Sequence, residues 1–212
     1  MLPMRSGAAA ANLGKPVANA LTHSNQTHEF QDPPALRPHV ALLHMKNKLI
    51  LCLAQGFGVG RIPVAPGTFG SLVGLLWFVL LLAAGSFWIY LAGCAAGFFL
   101  SVWLCGAGEK ILRQRDPGSI VIDEITAIPV CGLAWAFREW QRHGQLPSPA
   151  DLFSTSRDWL FVAVLFVAFR LFDIWKPWPV RQSQSLPGGW GVTVDDFLAA
   201  AYVNLALLPF WW

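Results

Sequence analysis

The sequence predicts an all-α fold: an integral membrane helical bundle of about five apolar helices behind a disordered polar N-terminal tail. Three observations carry that prediction. Hydrophobic residues make up 55% of the 212 and charged residues 13%, about half the charged share of an ordinary soluble domain. No charged residue occurs between Arg61 and Glu109, a stretch too long for one span, because about 20 helical residues cross a bilayer core. Eleven Trp suit a chain with two membrane–water interfaces, where Trp gathers. The net charge of +3 is dispersed, and no basic stripe interleaved with aromatics speaks for nucleic acid.

Taken in order, residues 1–44 read as the tail and residues 45–212 as the membrane domain. The tail is polar, holds Pro33, Pro34 and Pro38, and has no apolar run of signal-peptide length. His23, His28, His39 and His44 lie in it at irregular spacing, which favours a disordered segment over a metal site. Ala84-Gly85-Ser86 divides the charge-free stretch into helices over about 68–83 and 87–106. Further apolar segments run over about 120–137, 159–175 and 197–212. Pro177 and Pro179 end the fourth, since each lacks an N–H and restricts the residue before it. Trp211 and Trp212 close the fifth as an interface anchor. Cys52, Cys94, Cys105 and Cys131 stand in apolar sequence with no CxxC pair and read as small buried hydrophobes.

Basic residues orient these segments. Lys46, Lys48, Arg61, Lys110, Arg113, Arg115, Lys176 and Arg181 fall on one side if five spans alternate. The other side has Arg138, Arg142 and Arg157, balanced by Glu139, Asp151 and Asp158. The positive-inside rule places the first side in the cytoplasm. Asp123 and Glu124, Asp173, and Asp195 with Asp196 then collect at that cytoplasmic face, from three helices.

A charge within a span costs about 2.5–3.5 kcal/mol at its centre, so five gathered acids need a partner. A divalent cation fits, and Mg²⁺ is usually held by a few carboxylates together with substrate phosphate. Asp195 or Asp196 also reads as a helix cap, and Asp123 or Glu124 as a loop residue. Arg170, Asp173 and Lys176 recur every three residues, which sets them on one helix side. Arg170 either neutralises Asp173 or, with Lys176, binds phosphate oxygens. The glycine-rich run Gly56–Ser71 contains no nucleotide motif. It leads into a helix N-terminus, where backbone N–H groups hold phosphate; Gly67, Thr68 and Ser71 are its candidate substrate contacts, and an ordinary turn is the plain reading. His143 alone lies outside the tail, and no Cx5R or DxDx[TV] nucleophile motif is present, which leaves carboxylate and metal chemistry.

Three blocks together resemble the phosphatidylglycerophosphatase A family: Gly56–Ser71, Ile120-Val-Ile-Asp-Glu124, and Phe169-Arg-Leu-Phe-Asp-Ile-Trp-Lys-Pro-Trp-Pro-Val180 with Gly188-Gly-Trp-Gly-Val-Thr-Val-Asp-Asp196. The resemblance covers about residues 49–212. It implies an all-helical enzyme of the bacterial inner membrane, to which the apolar segments and the charge pattern add a multi-pass topology with the active site facing the cytoplasm. It implies Mg²⁺-dependent hydrolysis of the lipid phosphatidylglycerophosphate to phosphatidylglycerol and inorganic phosphate. Asp123, Glu124, Asp173, Asp195 and Asp196 become its catalytic acids. Of these Asp123, Glu124, Asp173 and Asp196 are the expected metal ligands, with Arg170 and Lys176 on the phosphate. Gln184 stands where many members carry Asp, and Val192-Thr193 where Ile-Met is common. The competing class is a cation transporter or channel using the same acids; it would need a path of acids and a paired repeat of broken helices.

Overall fold

The chain enters helix α1 (Pro38–Ala54) in a computed structural model that describes residues 38–211. Expectations placed on residues 1–37 and on Trp212 lie outside the described residues. Proline opens the helix, and the run behind it is rich in Ala, Leu, Met and Lys, all strong helix formers. Helix therefore already covers residues 38–44, which the polar-tail reading had included. A 3-10 segment, Gly56–Arg61, follows, with Gly56, Phe57 and Gly58 all at positive φ.

Pro66 then starts α2 (Pro66–Leu82), with Ala65 before it in the left-handed region. The turn at Gly85 (φ +67) separates α2 from α3 (Phe87–Leu112). The third apolar segment is not one straight helix. It divides into α4 (Ile122–Cys131) and α5 (Leu133–His143) at Gly132. Pro129 removes a helical N–H and kinks its surroundings, and a side chain at Gly132 would press on the Phe78 ring at 2.8 Å. The groups freed by this kink are met from other helices: the Asn204 amide donates to the Val130 carbonyl (2.7 Å) and accepts from the Ala134 N–H (2.8 Å), and the Tyr90 hydroxyl donates to the Pro129 carbonyl.

Short α6 (Pro149–Leu152) and α7 (Ser156–Trp175) each begin with a capping box, Ser148 with Asp151 and Thr155 with Asp158. Reciprocal bonds of this kind satisfy two orphan N–H groups at once. Lys176 ends α7 in the left-handed conformation, and Pro177 and Pro179 lead into α8 (Val180–Ser183). The last helix, α9 (Gly189–Trp211), begins eight residues before the expected Phe197.

No strand occurs among the described residues, and the fold is all-α. Two helices, Phe87–Leu112 and Gly189–Phe210, are long and apolar enough to cross a membrane. The other three expected spans are helical but differ from that picture. α2 is apolar with 17 residues, the third is divided, and α7 carries Arg157, Asp158, Arg170 and Asp173. Phe78, Tyr90, Leu165, Phe169 and Val203 form the centre of the core, all buried. Cys94, Cys105 and Cys131 are buried as expected, whereas Cys52 is exposed.

Candidate active site

The acids sit on three helices whose ends the close packing of small residues brings together. Asp123 and Glu124 occupy the first turn of α4, where the helix dipole favours negative charge. That turn is held against the glycine-rich run. A side chain at Gly70 would press on Val121 (2.8 Å), and one at Gly60 would enter the Ser119 carbonyl. A side chain at Gly67 would collide with the Glu124 carboxylate and stand 3.3 Å from Arg170 Nη1. The glycines thus work chiefly by letting backbone approach the acids. Asp195 and Asp196 lie two turns inside α9, so neither caps it, contrary to the cap reading. The reason is that Gly189 and Gly191 belong to the helix. Side chains there would strike the backbone of Val102 and Gly106 on α3, and the Leu186 and Gln184 carbonyls. Only Gly188 (φ +56) makes the turn.

Asp116, Asp123, Glu124, Asp173, Lys176, Asp195 and Asp196 line one cleft of about 260 Å³. It is not the largest cavity. A groove of about 510 Å³ beside Trp77 and Gly97 has no ionisable lining residue and no means of doing this chemistry.

Within the cleft the five predicted acids divide. Asp123, Glu124 and Asp196 each bring an oxygen within 4.8 Å of the others. Asp123 and Asp196 are 5% and 4% exposed, and Asp123 Oδ1 and Glu124 Oε2 are buried without any hydrogen-bond partner. Asp173 is instead ion-paired, with Arg170 Nη1 at 2.7 Å and Lys176 Nζ at 3.8 Å. Asp195 accepts three hydrogen bonds: Oδ2 accepts from Lys176 Nζ (2.5 Å) and Gln184 Nε2 (2.9 Å), and Oδ1 from the Asp196 N–H (3.1 Å). Burial alone would lower the Lys176 pKa, but Asp195, then Asp173 and Asp196, outweigh it and raise it.

The predicted phosphate contacts also divide. Arg170 Nη1 reaches the Ser71 hydroxyl (3.4 Å), which donates to the Gly67 carbonyl (2.8 Å), so Arg170, Ser71 and Gly67 adjoin Glu124. Thr68 is half-buried in the first turn of α2, and of the five predicted contacts only Lys176 lines the cleft itself, Gly67, Thr68, Ser71 and Arg170 being outside its lining. Asp116 was missed, and Gln184, noted only as a departure from the family's Asp, was given no role. Asp116 lines the cleft from a left-handed position (φ +45), its N–H donating to Glu109 Oε1 (2.9 Å). Asp116 had no sequence signal, being a single polar residue in a loop, whereas Gln184 had one, its place where many members carry Asp.

Buried like charges this close repel strongly at low dielectric, and a buried charge persists only when paired or on a metal. Two orphaned carboxylate oxygens and a three-carboxylate, all-oxygen donor set fit a hard divalent cation of the Mg²⁺ type. Fold and site together define an all-helical protein that gathers three carboxylates able to hold a cation near two basic side chains.

The phosphatidylglycerophosphatase A family profile matches residues 52–211. Among curated proteins, phosphatidylglycerophosphatase A of Escherichia coli K12 is 34% identical over 170 residues, 79% of this chain and 86% of that protein. The protein of the same name from Haemophilus influenzae is 35% identical over 162 residues, covering 75% and 88%. No solved structure matches the chain significantly. The chain belongs to the phosphatidylglycerophosphatase A family.

Proposed function

We propose that this chain is a lipid phosphatase of phospholipid biosynthesis, hydrolysing the terminal phosphomonoester of phosphatidylglycerophosphate to give phosphatidylglycerol and inorganic phosphate. Family membership supplies the reaction. The observation that carries it to particular residues is the meeting of Asp123, Glu124 and Asp196 within 4.8 Å, next to Arg170 and Lys176.

Asp123, Glu124 and Asp196 would hold Mg²⁺, with Asp173 at the edge of the set. The ion supplies Lewis-acid polarisation of a phosphoryl oxygen. The chain's own residues do the rest. Lys176, at the cleft wall, offsets charge on the phosphoryl oxygens in the bound substrate and the transition state alike, so its loss would show mainly in KM. Arg170, fixed by Asp173 and Ser71, adds a second positive charge beside Glu124. The cleft admits a phosphate group from the end of the bundle, where the lipid headgroup region would lie.

The membrane reading extends to a multi-pass protein of the bacterial inner membrane with the cleft facing the cytoplasm. Its support is the broad apolar exterior. Leu76 and Leu80 on α2, Phe99 and Trp103 on α3, and Val167 and Leu171 on α7 are each more than half exposed, which is a surface for lipid rather than water. A cation-transport reading finds no support, because the carboxylates gather at one end of the helices instead of forming a path.

The test is release of inorganic phosphate from phosphatidylglycerophosphate in mixed micelles by the purified full chain. Turnover is expected with Mg²⁺, loss with EDTA, and recovery when Mg²⁺ is restored. A chain that releases no phosphate under any of these conditions refutes the assignment, and turnover indifferent to chelator refutes the metal.

A further inference from the structure

We infer that Gln184 is a positioning residue, whose side-chain amide fixes Asp195 and through it the Lys176 ammonium at the cleft wall. The inference deepens the phosphatase reading and rests on it for the nature of the substrate.

Lys176 has two carboxylates within reach, Asp195 at 2.5 Å and Asp173 at 3.8 Å. Its ammonium is a point charge on a flexible four-carbon stem, so the carboxylate it follows decides where it sits. Asp195 is the better anchored of the two. One oxygen takes the N–H of Asp196, and the other takes Gln184 Nε2 together with Lys176. With Gln184 in place, Oδ2 takes two donors and Oδ1 a third, three of the roughly four a carboxylate accepts, and this holds the carboxylate toward Lys176. Remove the amide and Oδ2 keeps only Lys176, so the carboxylate can shift about its Asp196 N–H contact, carrying Lys176 with it or releasing it toward Asp173, which would weaken the Arg170 pair.

Gln184 is itself held independently of its side chain. Its backbone carbonyl accepts from Arg115 Nη2 (2.6 Å), which ties the α8–α9 turn to the loop after α3. A change confined to the side chain therefore leaves this anchor and the local fold in place, so the variant isolates the Asp195 contact.

The experiment measures binding of inorganic phosphate, the product, by calorimetry on the full chain in detergent with Mg²⁺, alongside turnover. Gln184→Met keeps the volume and removes the donor. It should weaken phosphate binding about 10- to 150-fold, the loss of one charge-assisted hydrogen bond, and raise KM more than it lowers kcat. If Gln184 acts through Lys176, the double variant with Lys176→Met should bind phosphate no more than about two-fold more weakly than Lys176→Met alone. Gln184→Ala serves in the same cycle should the Met variant fold poorly. Unchanged phosphate affinity in the Gln184 variant, or effects that multiply fully in the double variant, would overturn the inference. The phosphatase reading fails separately, on wild-type turnover; a wild-type chain without turnover that still gives the non-additive cycle would refute that reading and leave the positioning role intact.

Discussion

Asp123 and Glu124 each have a buried oxygen without a hydrogen-bond partner, and Asp196 brings a third carboxylate to them, whereas Asp173 and Asp195 already have cationic partners. That difference predicts different responses to the same small change. Asp123→Asn, Glu124→Gln and Asp196→Asn keep shape but remove a charged ligand oxygen. Each should lower Mg²⁺-dependent turnover by at least the roughly 10–100-fold typical of losses in the shell around a metal, with a matching rise in the Mg²⁺ concentration needed for half-activity. Asp195→Asn should leave that Mg²⁺ concentration nearly unchanged, because its oxygens serve Lys176, Gln184 and a backbone N–H. Its effect should appear in KM. Titrating Mg²⁺ into each variant while recording phosphate release checks both expectations, and a large Mg²⁺ shift in Asp195→Asn would move that residue into the ligand set.

At the scale of elements, the site depends on how closely α9 lies against α3 and how the α4–α5 kink is satisfied. A methyl group at Gly189 would meet the Val102 carbonyl and lie 2.6 Å from Gly106 N, both backbone atoms that no rotamer change can move. Gly189→Ala should therefore displace the helix carrying Asp195 and Asp196. Overpacking of this kind costs about 1–3 kcal/mol, so the melting temperature in detergent should fall by several degrees and turnover more than ten-fold. Asn204→Leu probes the kink: it strands the Val130 carbonyl and the Ala134 N–H, at about 1–3 kcal/mol per unsatisfied buried group. It should lower thermal stability and leave the Mg²⁺ requirement as it was. These two elements also mark where sequence reading ran out. The apolar runs, the break at Gly85 and the prolines after Trp175 revealed the main helices, because those signals are local. The start of α9 was misplaced because Gly188-Gly-Trp-Gly191 resembles a turn. Its last three residues are helical, and two of its glycines exist for contact with distant backbone. Asn204 gave no signal at all, since its role depends on a helix broken some seventy residues earlier. Gathering of the acids at one face was legible from charge alone, but not their division into free and ion-paired sets, which is decided by contacts between helices.

For the whole molecule, the acids, Lys176 and the loops around Asp116 and Gln184 lie at one end, and Arg138, Glu139, Asp151 and Arg157 line a separate cavity. The segment before α1 lies outside the family match, which begins at residue 52, so deletion of residues 1–36 should leave turnover within a few-fold of the full chain. Orientation admits a sharper test. Lys110, Arg113, Arg115, Lys176 and Arg181 flank the cleft end, and basic residues near spans are retained in the cytoplasm. The opposite end carries only Arg138, Arg142 and Arg157 and exerts a weaker bias. In a chain with its four native cysteines replaced, a single cysteine at Gln114 or Ser185, both exposed, should resist a membrane-impermeant thiol reagent applied to intact cells and react once the membrane is opened. A cysteine at Gln145, also exposed and beyond α5, should react from outside without permeabilisation. Labelling of Gln114 and Ser185 positions from outside would invert the protein, moving the phosphate-binding cleft away from the cytoplasm. Labelling of all three positions from one side would go further: the helices between them would not cross the bilayer as the charge pattern requires, and the apolar exterior of α2, α3 and α7 would have to be covered by something other than lipid.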